Sequence, residues 1–151
     1  MSTVKTSTII SAPPERVWEI LTDFGSYPSW NPFVKSISGV LEVGTRLAVR
    51  IAPSGGNGMA FKPIITELRE AAVLEWLGHF LIPGIFDGRH RFELVGMTDG
   101  TTVFRQSENF TGIMIPFVGS LLKESERGFA AFNVAIKARS EAAQAPSLAG
   151  S

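Results

Sequence analysis

Three polar residues in this 151-residue sequence are placed to do chemistry: His90, Gln106 and Glu108, each at an alternate position in a run that is otherwise apolar on one face. Side chains alternate across a strand. His90 therefore shares a face with Phe92 and Leu94 in the run Phe86–Val95, and Gln106 and Glu108 share one with Phe104 and Phe110 in the run Thr101–Thr111. The charged Arg89, Arg91, Glu93 and Arg105 fall on the opposite face. A turn centred on Thr98-Asp99-Gly100 makes the two runs a hairpin, with Leu94 opposite Phe104, Phe92 opposite Gln106 and His90 opposite Glu108. Directly paired side chains stand about 4.5–5.5 Å apart at Cβ. A His–Glu pair on an apolar face can do acid–base work. The carboxylate raises the imidazole pKa and fixes its tautomer, and a low-dielectric pocket can bring either group toward neutral pH. The plainer reading is that two buried polar groups satisfy each other and orient the hairpin or a ligand.

The elements that must hold this hairpin follow from periodicity. Thr3–Ser11 is rich in β-branched residues and reads as a strand. Pro13 and Pro14 pre-set a first helical turn, and Val17, Ile20, Leu21 and Phe24 follow at helical spacing, which predicts a helix over about 13–23. Gly25 closes it, and the segment Ser26 to Pro32 has room for one short turn of helix. Six β-rich runs come next: Phe33–Glu42, Arg46–Ala52, Ala60–Arg69, Val73–Phe80, Phe86–Val95 and Thr101–Thr111. Their short connections require antiparallel pairing, because a parallel crossover needs a dozen or more residues. After Pro116, Val118, Leu122, Ser125, Phe129, Phe132 and Ile136 recur at alternating spacings of four and three, predicting one long amphipathic helix. The economical fold is α+β: a seven-stranded curled antiparallel sheet wrapped around a long C-terminal helix, with one helix and a short helical turn between strands 1 and 2.

Composition bounds the function. Fourteen Lys+Arg balance fourteen Asp+Glu, which argues against a nucleic-acid partner, since phosphate affinity needs clustered cations. With no cysteine there is no disulfide, Cys-ligated zinc or thiol catalysis. His79 and His90 have no acidic partner at ligand-like spacing, so neither metal nor other cofactor is expected. No signal peptide or membrane-spanning segment is visible, which reads as a cytoplasmic protein. A single domain over 1–143 and a disordered tail over 144–151 are expected. Charged residues make up only 19%, against a usual share of about 25%, while Phe numbers 11. Much apolar surface must be hidden, or must line something.

Four phrases carry a resemblance: IISAPPERVWEILTDFGSYPSWNPF at 9–33, LEWLGHF at 74–80, the hairpin from GRHRFEL to TTVFRQSENFTG across 88–112, and FNVAIKARSE at 132–141. Together the chain resembles the polyketide cyclase/dehydrase and lipid-transport branch of the START/birch-allergen (SRPBCC) superfamily. That resemblance implies a helix-grip fold with a deep hydrophobic cavity between the curled sheet and the C-terminal helix.

The candidate cavity wall comprises Trp30, Asn31, Trp76, Phe92, Phe104, Gln106, Phe110, Phe129 and Phe132, with His90 and Glu108 as candidate catalytic groups. For most of these an ordinary core or turn role competes. Trp30 can pack a turn that Asn31 caps, and Trp76 can be aromatic filler. Phe80–Phe86 and Gly112–Phe117 are uncharged, proline-bearing connections, and apolar loops mark a lid, a portal, a membrane-touching lip or a homodimer contact. The Gly55-Gly56-Asn57-Gly58 cluster lacks the strand-to-helix setting of a phosphate cradle and reads as a flexible hairpin loop. The leading expectation is a binder of a small or medium hydrophobic molecule. The alternatives are a cyclase/dehydratase-like enzyme using Glu108 and His90, and an interaction module acting through its apolar loops.

Overall fold

The computed structural model describes residues 2–52, 58–80 and 82–142. Its elements run β1 (Ser2–Ile10), α1 (Pro14–Thr22), a 3-10 turn (Phe24–Ser26), α2 (Tyr27–Trp30), β2 (Val34–Ser38), β3 (Ala48–Ile51), β4 (Met59–Phe61), β5 (Ile64–Arg69), β6 (Val73–Phe80), β7 (Phe86–Gly96), β8 (Thr102–Thr111), a second 3-10 turn (Ile115–Phe117) and α3 (Gly119–Ala142). The expected flexible loop at 55–57 and the tail at 144–151 lie outside the described residues.

The expectation of one seven-stranded sheet is corrected: the described residues form eight strands in two antiparallel sheets, β1-β8-β7-β6-β5 and β2-β3-β4. The cause lies at Pro63. A proline has no N–H to give a ladder, so the run expected over 60–69 divides into β4 and β5. The sheets stay joined at this corner. Leu47 N–H donates to the Pro63 carbonyl (2.8 Å), Ile65 N–H to Thr45 (3.0 Å) and Gly44 N–H to Ile65 (2.8 Å). Gly78 helps close the curl, because a Cβ there would press on the Phe61 ring of β4 at 3.0 Å.

α1 buries Val17, Ile20 and Leu21 as its spacing requires, and Trp18 with them. The Tyr27 hydroxyl, fully buried, donates to the Leu21 carbonyl and ties α2 to α1. α3 lays Ser125, Phe129, Phe132 and Ile136 against the sheet. Gly128 belongs to the same face: a Cβ there would collide with the Phe33 ring, so the glycine lets α3 approach the start of β2. At its far end, Lys137 donates to the Ile9 carbonyl (2.7 Å) and Glu141 accepts from Ser11 N–H (2.8 Å), fixing α3 to β1. On the convex face Arg91 bridges Glu67 (2.7 Å), Glu75 (3.0 Å) and Glu93 (3.1 Å). The charges therefore sit outside, where the parity of the hairpin sends them. Among the described residues no helix is long and apolar enough to cross a membrane.

Candidate functional site

The β7–β8 register pairs His90 with Glu108, Phe92 with Gln106 and Leu94 with Phe104. The turn chemistry accounts for this. Asp99 Oδ1 accepts from Thr101 N–H (3.1 Å), Met97 N–H donates to the Thr101 carbonyl (2.8 Å), and Gly100 takes φ +87°, a left-handed angle that glycine tolerates best. With the register set, Phe86, His90, Phe92 and Leu94 are buried on β7, and Thr102, Phe104, Gln106, Glu108 and Phe110 on β8. Gly88 makes room for the carboxyl, since a Cβ there would collide with Glu108 Oε2.

His90 is clamped between rings, stacked on Phe92 at 4.3 Å and on Phe129 of α3 at 4.5 Å, with Trp76 edge-on at 5.3 Å. Its Nε2 meets Gln106 Oε1 at 2.9 Å. Its Nδ1 lies 3.7 Å from Glu108 Oε1, beyond hydrogen-bond distance. Desolvation decides the charge state of both groups. Burial pushes the imidazole down to about 4 despite the hydrogen bond its Nε2 makes to Gln106 Oε1, and pushes the Glu108 carboxyl up to about 8. At neutral pH the pair is an uncharged imidazole beside an uncharged carboxylic acid, not an ion pair. This differs from the expectation that a Glu108 carboxylate raises the imidazole pKa and fixes its tautomer: burial outweighs the partner's charge, and Gln106 is the residue that holds the ring. A neutral base and a neutral acid facing one space can accept and donate a proton near pH 7.

That space is narrow. It is lined by Trp76, His90, Glu108 and Phe110 from the expected set, together with Phe33, Val34, Ile51, Met59, Phe61, Phe80, Phe86, Leu121 and Ser125. The crevices between these side chains total about 410 Å³, mouth included, but only about 20 Å³ is wide enough for the centre of a water molecule. A single water needs roughly 10–15 Å³ by that measure, and ligand pockets run to roughly 300–1,000 Å³. In place of a deep cavity, aromatic rings fill the interior.

The other expected wall residues stand elsewhere. Phe104 and Phe132 stack on each other (6.2 Å), Phe132 meets Phe92 (5.5 Å), Trp30 (5.7 Å) and Tyr27 (6.1 Å), and the cluster forms core beyond the clamp on His90. Asn31 Oδ1 accepts from Phe33 N–H (2.9 Å) and Val34 N–H (2.8 Å), which shapes the turn that delivers Phe33 to the wall. Gln106 supports His90 from behind. Phe86 and Phe80 share strand parity with His90 and Trp76, a signal already present in the sequence. Phe33, Ile51, Met59 and Phe61 reach the wall from the second sheet, which local parity does not predict. Among the described residues no group of three His, Cys, Asp or Glu could hold a metal.

The two apolar loops beside this wall form one lip. Ile113 N–H donates to the Gly84 carbonyl (3.2 Å) and Met114 N–H to Ile85 (3.0 Å), and Gly112, at φ +121°, allows the contact because a Cβ there would strike the Ile85 carbonyl. Ile82, Ile113 and Phe117 point outward at 61%, 69% and 77% exposure.

Comparison with known proteins agrees with this architecture. Residues 1–143 match the family model described as polyketide cyclase / dehydrase and lipid transport. No curated protein matches. Among solved structures, the Zhui aromatase/cyclase of a Streptomyces species superposes with TM-score 0.76 at 17% identity, covering 93% of each chain. A START superfamily protein of Mycobacterium smegmatis gives TM-score 0.69 at 20% identity over 92% of this chain and 97% of that one. A hypothetical protein of Helicobacter pylori gives 0.75 at 16% identity over 92% and 88%. At these identities the likeness is one of fold.

Proposed function

Since this chain belongs to the polyketide cyclase/dehydrase and lipid transport family, we propose that it binds a neutral, largely apolar molecule between the curled sheet and α3, with the guest's polar group set against Glu108 and His90. Family and fold support hydrophobic-ligand binding or polyketide-cyclase-like chemistry. The observation that carries the narrower reading is the Glu108 carboxyl: largely buried, held uncharged by that burial and set 3.7 Å from His90 Nδ1 in an aromatic wall. A protonated carboxyl in such a wall can donate to a guest carbonyl or accept from a guest hydroxyl. The guest enters by displacing rings. Met59 and Phe61 of the wall are half-buried on the three-residue β4, and the lip at 82–86 and 112–117 flanks the way in. Native mass spectrometry of the purified protein tests the reading: a bound neutral organic mass that is lost on denaturation and reduced in Glu108→Ala supports it. Adduct-free spectra, with no uptake of added naphthol, refute it.

A second reading, catalysis, is favoured by the coexistence of a neutral base and a neutral acid. His90 Nδ1 takes a proton from a carbon flanked by carbonyls. That carbon forms a bond to a second carbonyl carbon, whose oxygen receives the Glu108 proton and becomes a hydroxyl. Proton return from imidazolium to carboxylate, 3.7 Å away, resets the pair, and the hydroxyl leaves with a neighbouring hydrogen as water. Glu108→Gln retains shape and removes the acid, so on any identified substrate it abolishes turnover while binding persists; equal turnover in the variant refutes catalysis by this pair.

A further inference from the structure

Behind His90 runs a chain of side-chain amides with no counterpart elsewhere among the described residues. Gln106 Oε1 faces His90 Nε2 at 2.9 Å, while Gln106 Nε2 faces Asn133 Oδ1 at 2.8 Å and the Phe129 backbone carbonyl at 3.4 Å. Asn133 Nδ2 in turn donates to Thr6 Oγ1 at 2.9 Å. Gln106, Asn133 and His90 are all buried and Thr6 is half-buried, so water does not substitute for the inner three members of the chain. The Phe129 carbonyl sets the direction of the whole relay. A backbone carbonyl can only accept. Were the Gln106 amide turned over, its oxygen would face that carbonyl with no proton between them, and Asn133 would have to turn over with it to keep a donor on Gln106. Gln106 therefore offers His90 an oxygen, which can only accept.

We infer that Gln106, Asn133 and Thr6 are positioning residues that lock His90 in its Nε2–H tautomer, leaving Nδ1 as the unprotonated atom that faces Glu108 and the interior. In the other tautomer Nδ1 carries the proton and cannot act as a base, and Nε2 and Gln106 Oε1 become two facing acceptors. The relay joins β1 through Thr6, α3 through Asn133 and Phe129, β8 through Gln106 and β7 through His90, so the seat of α3 on the sheet determines which nitrogen serves the site. The ring clamp from Phe92 and Phe129 adds to this by preventing the imidazole from rotating out of the plane of the relay. The functional meaning of the lock rests on the acid–base reading of His90 and Glu108; the lock itself is measurable with no guest present.

The chain holds only two histidines, so long-range proton–nitrogen NMR of the imidazoles resolves both, with His79→Gln giving the assignment. In the wild-type protein near neutral pH, His90 shows the Nε2–H form, with a protected, downfield Nε2 proton. Gln106→Met raises the minor Nδ1–H form roughly fivefold, the ratio that one net hydrogen bond supports, and moves the Nε2 proton upfield. Gln106→Glu, which restores an acceptor, returns both signals toward wild type, and Asn133→Leu, which frees the Gln106 amide, gives an intermediate change. An Nδ1–H tautomer in the wild-type protein overturns the inference without recourse to any variant. So does an unchanged His90 spectrum in folded Gln106→Met. Failure of naphthol to bind, with the lock intact, would count against the proposed function alone.

Discussion

Between pH 6.5 and pH 8 the wild-type protein should lose roughly 1 kcal/mol of folding stability, and Glu108→Gln should abolish that loss. The reasoning starts from two groups whose shifts run in opposite directions. The Glu108 carboxyl is raised by burial from 4.5 to about 8. The folded state therefore keeps a proton that the unfolded chain releases, and its stabilising effect is complete below pH 4.5 and lost as pH rises through 8. His90 is lowered by burial from 6.5 to about 4. The unfolded chain binds that proton first, so stability is lost as pH falls below 6.5. Each proton imbalance changes stability by about 1.4 kcal/mol per pH unit. From pH 4.5 to 6.5 the two slopes oppose and cancel. Above 6.5 Glu108 dominates, but unfolded His90 is still half protonated at 6.5 and folded Glu108 is half ionised at 8, so the integrated loss over the interval is roughly 1 kcal/mol. Glu67, held below the usual carboxylate range chiefly by its hydrogen bond from Arg91, titrates below this window. Urea unfolding at half-unit pH steps, read by tryptophan fluorescence with the slope in urea checked for constancy, measures the effect. Parallel profiles for wild type and Glu108→Gln across the interval would refute the claim that the carboxyl is buried and protonated.

Other expectations follow from single contacts. Gly88→Ala should cost about 1–3 kcal/mol in thermal or chemical unfolding, because its Cβ meets Glu108 Oε2; in a Glu108→Ala background the cost should largely vanish, and additivity of the two changes would contradict the contact. Asn31→Ala leaves the Phe33 and Val34 N–H groups unmet and should destabilise by about 1–3 kcal/mol, with a near-neutral urea midpoint as the contrary result. Phe117→Asp and Ile113→Asp, at the exposed lip, should shift stability by less than about 0.5 kcal/mol while slowing naphthol uptake in stopped-flow fluorescence. Unchanged uptake would remove the lip from the entry route.

The hairpin that carries the pair was legible from the residues because its two faces differ so sharply. Arg89, Arg91 and Glu93 alternate with His90, Phe92 and Leu94, and Asp99-Gly100 sets the turn, so parity and register follow together. The α1 and α3 stripes were legible for the same reason. Pro63 was present to be read as a strand break but sits inside a run of β-formers, and the division into two sheets depends on contacts from 44–47 to 63–65 that no local pattern encodes. The filling of the interior was hidden likewise: Phe33 reaches the wall through the opening left by Gly128, ninety-odd residues away in sequence. Asn133 falls beside the apolar stripe of α3, and only the packed structure brings it to Gln106 and Thr6. Sequence parity placed Glu108 opposite His90, but a carboxylate beside an imidazole pointed to a raised imidazole pKa where burial lowers it, because the degree of desolvation is set by rings from α3 and from the second sheet.

The most direct test of the central claim, that a neutral apolar guest is held inside against Glu108 and His90, is an NMR titration of the full chain with naphthol. The account predicts saturable shifts centred on the His90 imidazole, the Trp76 indole and the Ile51 methyls, all weakened in Glu108→Ala. Shifts confined to the lip residues Ile82, Ile113 and Phe117, or no saturable shift at all, would contradict it.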